Sequence, residues 1–189
     1  MLRIIRSADY VARPWKNGGG VTRDIFVSPP GASLDNFDWR LSLAQVDRDG
    51  PFSRFDNVDR TLVLLSGAMS LHEQDRSTEL MPNSPFSFAG ERTISATLPG
   101  GTTVDFNVMT RRGRALHTVQ RCTFNKRVTI KAAATTVVFA LERGLSIDDQ
   151  PLEVHDTAIV ADQGAVIAAS GGAVAALTVE IVDFRPNVL

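Results

Sequence analysis

The chain has 189 residues, of which 43% are hydrophobic and 22% charged, and its formal net charge is −1. This composition supports a folded core of one or two small domains, and the lack of an overall basic field argues against nucleic acid as a partner. A single cysteine, Cys122, excludes an intrachain disulfide and a cysteine-rich zinc site, and fits a reducing compartment.

In chain order, Leu2 to Arg6 is a candidate opening strand. Arg3 and Arg6 break its apolar patch, which is too short and too charged for a signal peptide. No apolar run approaches the roughly 20 residues of a membrane helix. A soluble, cytoplasmic protein with no membrane contact is expected. The run Pro14-Trp15-Lys16-Asn17-Gly18-Gly19-Gly20 then places three glycines between a cation-bearing arm and a predicted strand, Val21 to Val27. Phe37 to Val46 alternates strictly. Phe37, Trp39, Leu41 and Leu43 share one face; Asp38, Arg40, Ser42 and Ala44 share the other.

Thr61 to Leu65 and Ala68 to His72 flank Ser66-Gly67 as a hairpin-like pair, with a polar turn following at Asp75 to Ser77. Phe86 to Phe88, Arg92 to Leu98 and Thr102 to Thr110 are further predicted strands. Arg111-Arg112-Gly113-Arg114 reads as a solvated connector between two halves, with phosphate contact as the alternative. Beyond it, Cys122 to Ile130, Thr135 to Leu141, Thr157 to Ala161, Ala165 to Ala169 and Ala173 to Phe184 are strand-like. No long helical period occurs. Short strands punctuated by glycine and proline predict an all-β sandwich or barrel, with two β-rich halves in one chain.

The glycine triplet is neither a Walker loop nor a dinucleotide fingerprint, because it leads into a strand and Lys16 precedes it. Lys16, Asn17, Thr22 and Arg23 supply donors around the turn. It is read either as a holder of a small anion such as a carboxylate or as a plain loop. His72, His117 and His155 are far apart, so no metal site is expected. Cys122 is read as a small buried hydrophobe, and no Gly-x-Ser-x-Gly occurs. Arg40 and Ser42 on one strand, and Asp105 and Asn107 on another, occupy polar faces. Alternation fits either the solvent side of half-buried strands or the lining of a small barrel, with Arg40 or Arg60 as a carboxylate fork.

Five motifs together, Pro14 to Arg23, Phe37 to Ser42, Asp49-Gly50-Pro51-Phe52-Ser53-x-Phe55, Asp59 to Gly67 and Asp105 to Met109, resemble the HutD/Ves family over roughly the first 110 residues. The resemblance implies a bicupin: a motif-bearing barrel at 1–110, a second at 111–189, and strands exchanged between them. It also implies an association with histidine utilisation in a regulatory role. Aligned to the first cupin motif through Gly67, Arg60 takes the glutamate position and Arg54 and Asp56 the histidine positions. Through Gly90, Thr93 takes the fourth ligand position. The metal set is thus replaced, and a cation site becomes a candidate anion site.

The resulting expectation is a metal-free, cofactor-free protein that binds a small carboxylate, with urocanate and formylglutamate as candidates. Arg60 is the clamp, supported by Lys16, Thr22, Arg40, Asn17, Gly19 and Ser42, with Trp15 or Trp39 as a wall. An enzyme, a metal-independent isomerase or hydrolase using Asp105, Asp24 or Asp49 as base, is the alternative. A scaffold or homodimer working through protein contacts is a third class.

Overall fold

The computed structural model describes residues 1–130, 134–162 and 164–184. The alternating segment Trp39–Val46 lies at the centre of a six-stranded antiparallel sheet. Its spatial order is Val11–Pro14, Gly20–Ser28, Trp39–Val46, Thr103–Arg111, Val58–Ser66 and Pro85–Ala89. A central position buries both faces of the strand, and every residue from Trp39 to Ala44 is buried. A second, four-stranded sheet is ordered Gly50–Pro51, Ser95–Thr97, Ser70–Glu73, Arg76–Glu79. An apolar cluster draws Ala44, Val46, Leu62 and Leu64 from the first sheet and Leu71 and Ala96 from the second, joined by Met69, Phe88 and Ile94. These strands belong to one compact unit, Val11–Leu116 with Phe184.

The other unit combines Met1–Tyr10 with His117–Asp183. Its five-stranded sheet runs Leu2–Ile5, Thr157–Val160, Thr135–Ala140, Val174–Asp183, Ala115–Phe124, and its four-stranded sheet runs Val128–Ile130, Ala165–Ala169, Leu145–Ile147, Gln150–Leu152. Val138, Ala140, Leu145, Ile147, Ala158, Val160, Ile167 and Ala176 fill the space between them. Asp156 ties the opening segment to this unit: it accepts from Arg6 Nη1 at 2.7 Å and from the Ser7 amide at 2.8 Å. The two units thus divide after Tyr10 and after Leu116, with the opening segment belonging to the C-terminal half.

The all-β class holds, and among the described residues the one helical turn is a 3-10 turn at Ser7–Asp9. Among the described residues no helix is long and apolar enough to cross a membrane. Cys122 to Ile130, read as one strand, is in fact the end of Ala115–Phe124 and a separate short strand, Val128–Ile130. Asp75 to Ser77, read as a turn, enters the strand Arg76–Glu79. The basic cluster is not merely solvated. Arg111 donates to the carbonyls of Phe37 at 2.9 Å and Asp35 at 2.8 Å, and Arg112 pairs with Asp59 and Glu91. These internal acceptors occupy the guanidinium groups that a phosphate would need.

Candidate functional site

The register decides which face of the central strands is polar and inward. Arg40, Ser42 and Ala44 stand opposite Met109, Asn107 and Asp105, and those three stand opposite Arg60, Leu62 and Leu64. All of these side chains are buried. On the neighbouring strand, the register shifts between Asp24 and Phe26. This bulge changes the parity of the strand, so that Thr22 and Asp24 before it and Val27 after it all line one cavity. The polar face is therefore not a solvent face. It lines a cavity of about 700 Å³, bordered by Arg13, Trp15, Lys16 and Asn17 of the hairpin and by Phe52, Ser53 and Phe55 of the loop.

Four cationic side chains (Arg13, Lys16, Arg40 and Arg60) face two acidic ones, Asp24 and Asp105, so the lining favours an anion. The cations are not equivalent. Arg40 donates to Asp24 through Nε at 2.8 Å and through Nη2, and its Nη1 contacts the Met109 sulfur. Arg13 Nε reaches the other oxygen of Asp24 at 2.6 Å. One carboxylate is thus shared by two guanidinium groups, which engages both and leaves the cluster with a single net positive charge. Among the described residues Arg60 has no such counter-ion in hydrogen-bonding contact. Its Nη1 donates to the Ser53 carbonyl at 3.1 Å, while its Nε is buried without a partner.

Three phenyl rings hold that guanidinium: Phe88, Phe55 and Phe52 have centroids 5.0, 5.4 and 5.7 Å from its carbon. Phe88 is placed by register, directly opposite Arg60. Phe55 is placed by Gly90, where a Cβ would fall 2.6 Å from the Phe55 carbonyl oxygen; only glycine lets the two backbones close this tightly. Burial lowers the Arg60 pKa to about 10, with Asp105 opposing the shift and Arg40 adding to it. Arg60 remains a cation at neutral pH. Burial also raises the Asp105 carboxyl to about 7, against the pull of Arg60.

Of the eight side chains or residues expected in the site, Arg60, Thr22, Lys16, Arg40, Asn17, Trp15 and Ser42 line this cavity. Gly19 does not: its N–H donates to Asn17 Oδ1 at 3.0 Å, and the Gly18 N–H to the Trp15 carbonyl. The glycine turn uses these amides within its own hairpin, and none of its three glycines lines the cavity. Gly20 is required by contact, since a Cβ there would lie 2.2 Å from the Gln45 carbonyl oxygen. Trp15 Nε1 donates to Thr22 Oγ1 at 2.8 Å, which leaves the Thr22 hydroxyl hydrogen to donate.

Arg23 lies on the opposite face, in register with Leu43. Trp39 also belongs to that face, where it stacks on Phe26 with centroids 4.8 Å apart. Of the residues aligned to cupin metal positions, Arg60 lines the cavity, while Arg54, Asp56 and Thr93 are exposed and do not. Among the described residues no three His, Cys, Asp or Glu side chains are grouped to hold a metal ion. Sequence reading missed the phenyl cage, Arg13 and the role of Asp24 as counter-ion; the closely spaced Phe52 and Phe55 were the available signal for the cage.

A family model described as HutD matches residues 7–177. The chain belongs to the HutD family. It is 34% identical over 156 residues to an uncharacterized 21.2 kDa protein in the hutC 3′ region of Pseudomonas putida, covering 82% of this chain and 81% of that one. It is 34% identical over 154 residues to protein Ves of Citrobacter koseri, covering 80% and 75%. HutD from Pseudomonas fluorescens SBW25, solved in a formate condition, superposes with a TM-score of 0.86 at 28% identity, covering 98% of this chain and all of that one. A cupin 2 conserved barrel domain protein from Leptotrichia buccalis shares the fold at a TM-score of 0.63 and 11% identity, covering 95% and 96%. The motifs that resembled HutD/Ves thus reflect real kinship, and the fold is cupin-like.

Proposed function

We propose that this HutD-family protein is a metal-free bicupin that binds a small carboxylate metabolite in its N-terminal cavity and regulates histidine utilisation in the cytoplasm. One observation carries the reading: Arg60 is buried in a cavity with an unpartnered Nε and no carboxylate hydrogen-bonded to it. A buried guanidinium costs several kcal/mol to desolvate unless an anion compensates, and a carboxylate fits its fork. Arg60 in place of the cupin glutamate also repels a cation. Thr22 offers a donating hydroxyl and Lys16 a second charge at the exposed side of the cavity, while Arg40 acts through Asp24 to hold the wall. Kinship with a hut-region protein supports the pathway, and urocanate and formylglutamate are the candidate ligands.

The test is a thermal-shift panel of small carboxylates, including formate, urocanate and formylglutamate, on the parent and on Arg60→Ala. A ligand that binds only the native state stabilises it by about 2.7 kcal/mol at a hundred times its Kd. The parent is expected to shift and the variant not to. Equal shifts in both would end this reading.

Asp105 supports a second reading, a metal-independent isomerase or hydrolase acting on a small acid. A buried carboxyl near neutrality is suited to proton transfer. The other candidate bases are already engaged: Asp24 by two arginines, Asp49 by the Leu98 amide at 2.8 Å. Conversion of either candidate ligand by purified protein, followed by NMR and abolished in Asp105→Asn, would favour the enzyme over the binding protein.

A further inference from the structure

Among the described residues, four buried side-chain atoms have no hydrogen-bond partner: Arg60 Nε, Thr103 Oγ1, Asp105 Oδ1 and Asn107 Oδ1. Arg60, Asp105 and Asn107 all line the cavity, and each is more than nine-tenths buried, at 6%, 1% and 7% exposure. Buried polar groups in folded proteins are nearly always satisfied, so three cavity-lining residues that each carry an orphaned atom mark the polar positions a ligand would engage.

The polarity of that complement is mixed. Arg60 Nε–H needs an acceptor, which a carboxylate supplies. Above its raised pKa of about 7, where Asp105 is ionised, its Oδ1 needs a donor, which a carboxylate lacks. Asn107 can turn its amide to suit either, but an ionised Asp105 only accepts. A ligand made of a carboxylate alone would therefore satisfy one end of the cavity and leave the other unsatisfied.

The two ends lie along one line. Asp105 and Asn107 are two residues apart on one face of a strand, about 7 Å along it. Arg60 and Arg40 flank the next position on that face, Met109. The order from acceptor end to cation end is thus Asp105, Asn107, then the arginines.

We infer that Asp105, with Asn107 beside it, is a specificity-determining residue that selects carboxylates whose far end carries a hydrogen-bond donor, such as an imidazole or amide N–H. This rests on the carboxylate reading above and adds the second half of the ligand. A donor placed on Asp105 also favours its ionised form, which burial otherwise opposes. Simple acids that lack a donor leave Asp105 unpaired and are discriminated against, as in sites built around a hydrogen-bonding group.

The test compares urocanate with 3-(3-furyl)acrylate by isothermal titration calorimetry at about pH 8, where the imidazole ring is neutral. The pair shares the acrylate and a five-membered ring; the furan lacks the N–H donor and also the second ring nitrogen, so the Asp105 variants are what assign the difference to the donor. The parent is expected to bind urocanate about tenfold tighter or more. Asp105→Leu should bring the two affinities to within about threefold, with circular dichroism confirming its fold. If that variant does not fold, Asp105→Asn, which keeps the shape, should lower the ratio. Arg60→Ala should lose both ligands.

Equal affinity of the parent for the two compounds, lost in Arg60→Ala, overturns this inference and leaves the carboxylate reading standing. Discrimination that persists without Asp105 overturns it as well. If neither compound binds the parent the inference falls, and the carboxylate panel decides separately whether the broader reading falls with it.

Discussion

Replacing Asp105 by asparagine removes an ionisable group from a desolvated cavity while keeping its shape. Asp105 is 1% exposed, and burial pushes its carboxyl from 3.8 to about 7 despite Arg60 nearby. In the unfolded chain the same carboxyl titrates near its ordinary value. Between those two values the folded protein holds a proton that the unfolded chain has released. The parent therefore loses stability as pH rises from about 4 to about 7, and the loss levels off above that window. The whole span corresponds to about 4 kcal/mol, at about 1.4 kcal/mol per pH unit. Between about pH 5 and pH 8 the expected part is roughly 2 to 3 kcal/mol. The asparagine has no such proton. Urea unfolding of both proteins across that range isolates the effect, because every other carboxyl titrates in both and cancels in the difference. The variant should gain roughly 2 to 3 kcal/mol relative to the parent as pH rises. A difference that stays flat to within about 0.5 kcal/mol would refute the claim that Asp105 ionises in a desolvated site.

Two further substitutions test how the cavity wall is built. Asp24→Ala leaves the buried Arg40 without its carboxylate and should cost about 3 kcal/mol in denaturant unfolding; a loss below about 1 kcal/mol would show that the Arg13–Asp24–Arg40 cluster is not structural. Gly20→Ala drives a Cβ into the Gln45 carbonyl and should lower the melting temperature by roughly 6 °C, whereas Gly50→Ala, with open space around the new carbon, should leave it unchanged. Equal melting of the two glycine variants would contradict the close strand approach.

Much of the fold was legible where local pattern decides it. Strict alternation over Trp39–Val46 and Thr103–Arg111 gave the two central strands of the larger sheet, and glycine and proline turns separated most of the others. Ala115–Phe124 escaped because it begins right after the basic cluster and alternates half-exposed with exposed residues over most of its length, so no apolar face marks it. Leu145–Ile147 and Gln150–Leu152 escaped because three residues carry no readable period; their hairpin turns on Asp148 and Asp149, both in the left-handed region.

In the site, residue types pointed to Arg60, Lys16 and Thr22, but the direction of the polar face was illegible. Alternation gives two faces and does not say which is inward; that follows from pairing with distant strands. The bulge after Asp24 could not be read either, and it is what sets Val27 rather than Phe26 opposite Arg40; the pairing of Asp24 with Ser42, which brings its carboxylate to Arg40 and gives a counter-ion to a cation that sequence reading counted as free, is likewise a matter of register. The phenyl cage joins positions 52, 55 and 88, and only the pairing of Phe88 with Arg60 brings the third ring in.

The central claim is that Arg60 receives a carboxylate in this cavity. The most direct measurement is a crystal structure of the protein with urocanate or formylglutamate. A ligand carboxylate oxygen within about 3 Å of Arg60 Nε, with the guanidinium still among its three phenyl rings, is the predicted result. A ligand bound elsewhere on the chain, with Arg60 Nε still unpartnered, would contradict the account.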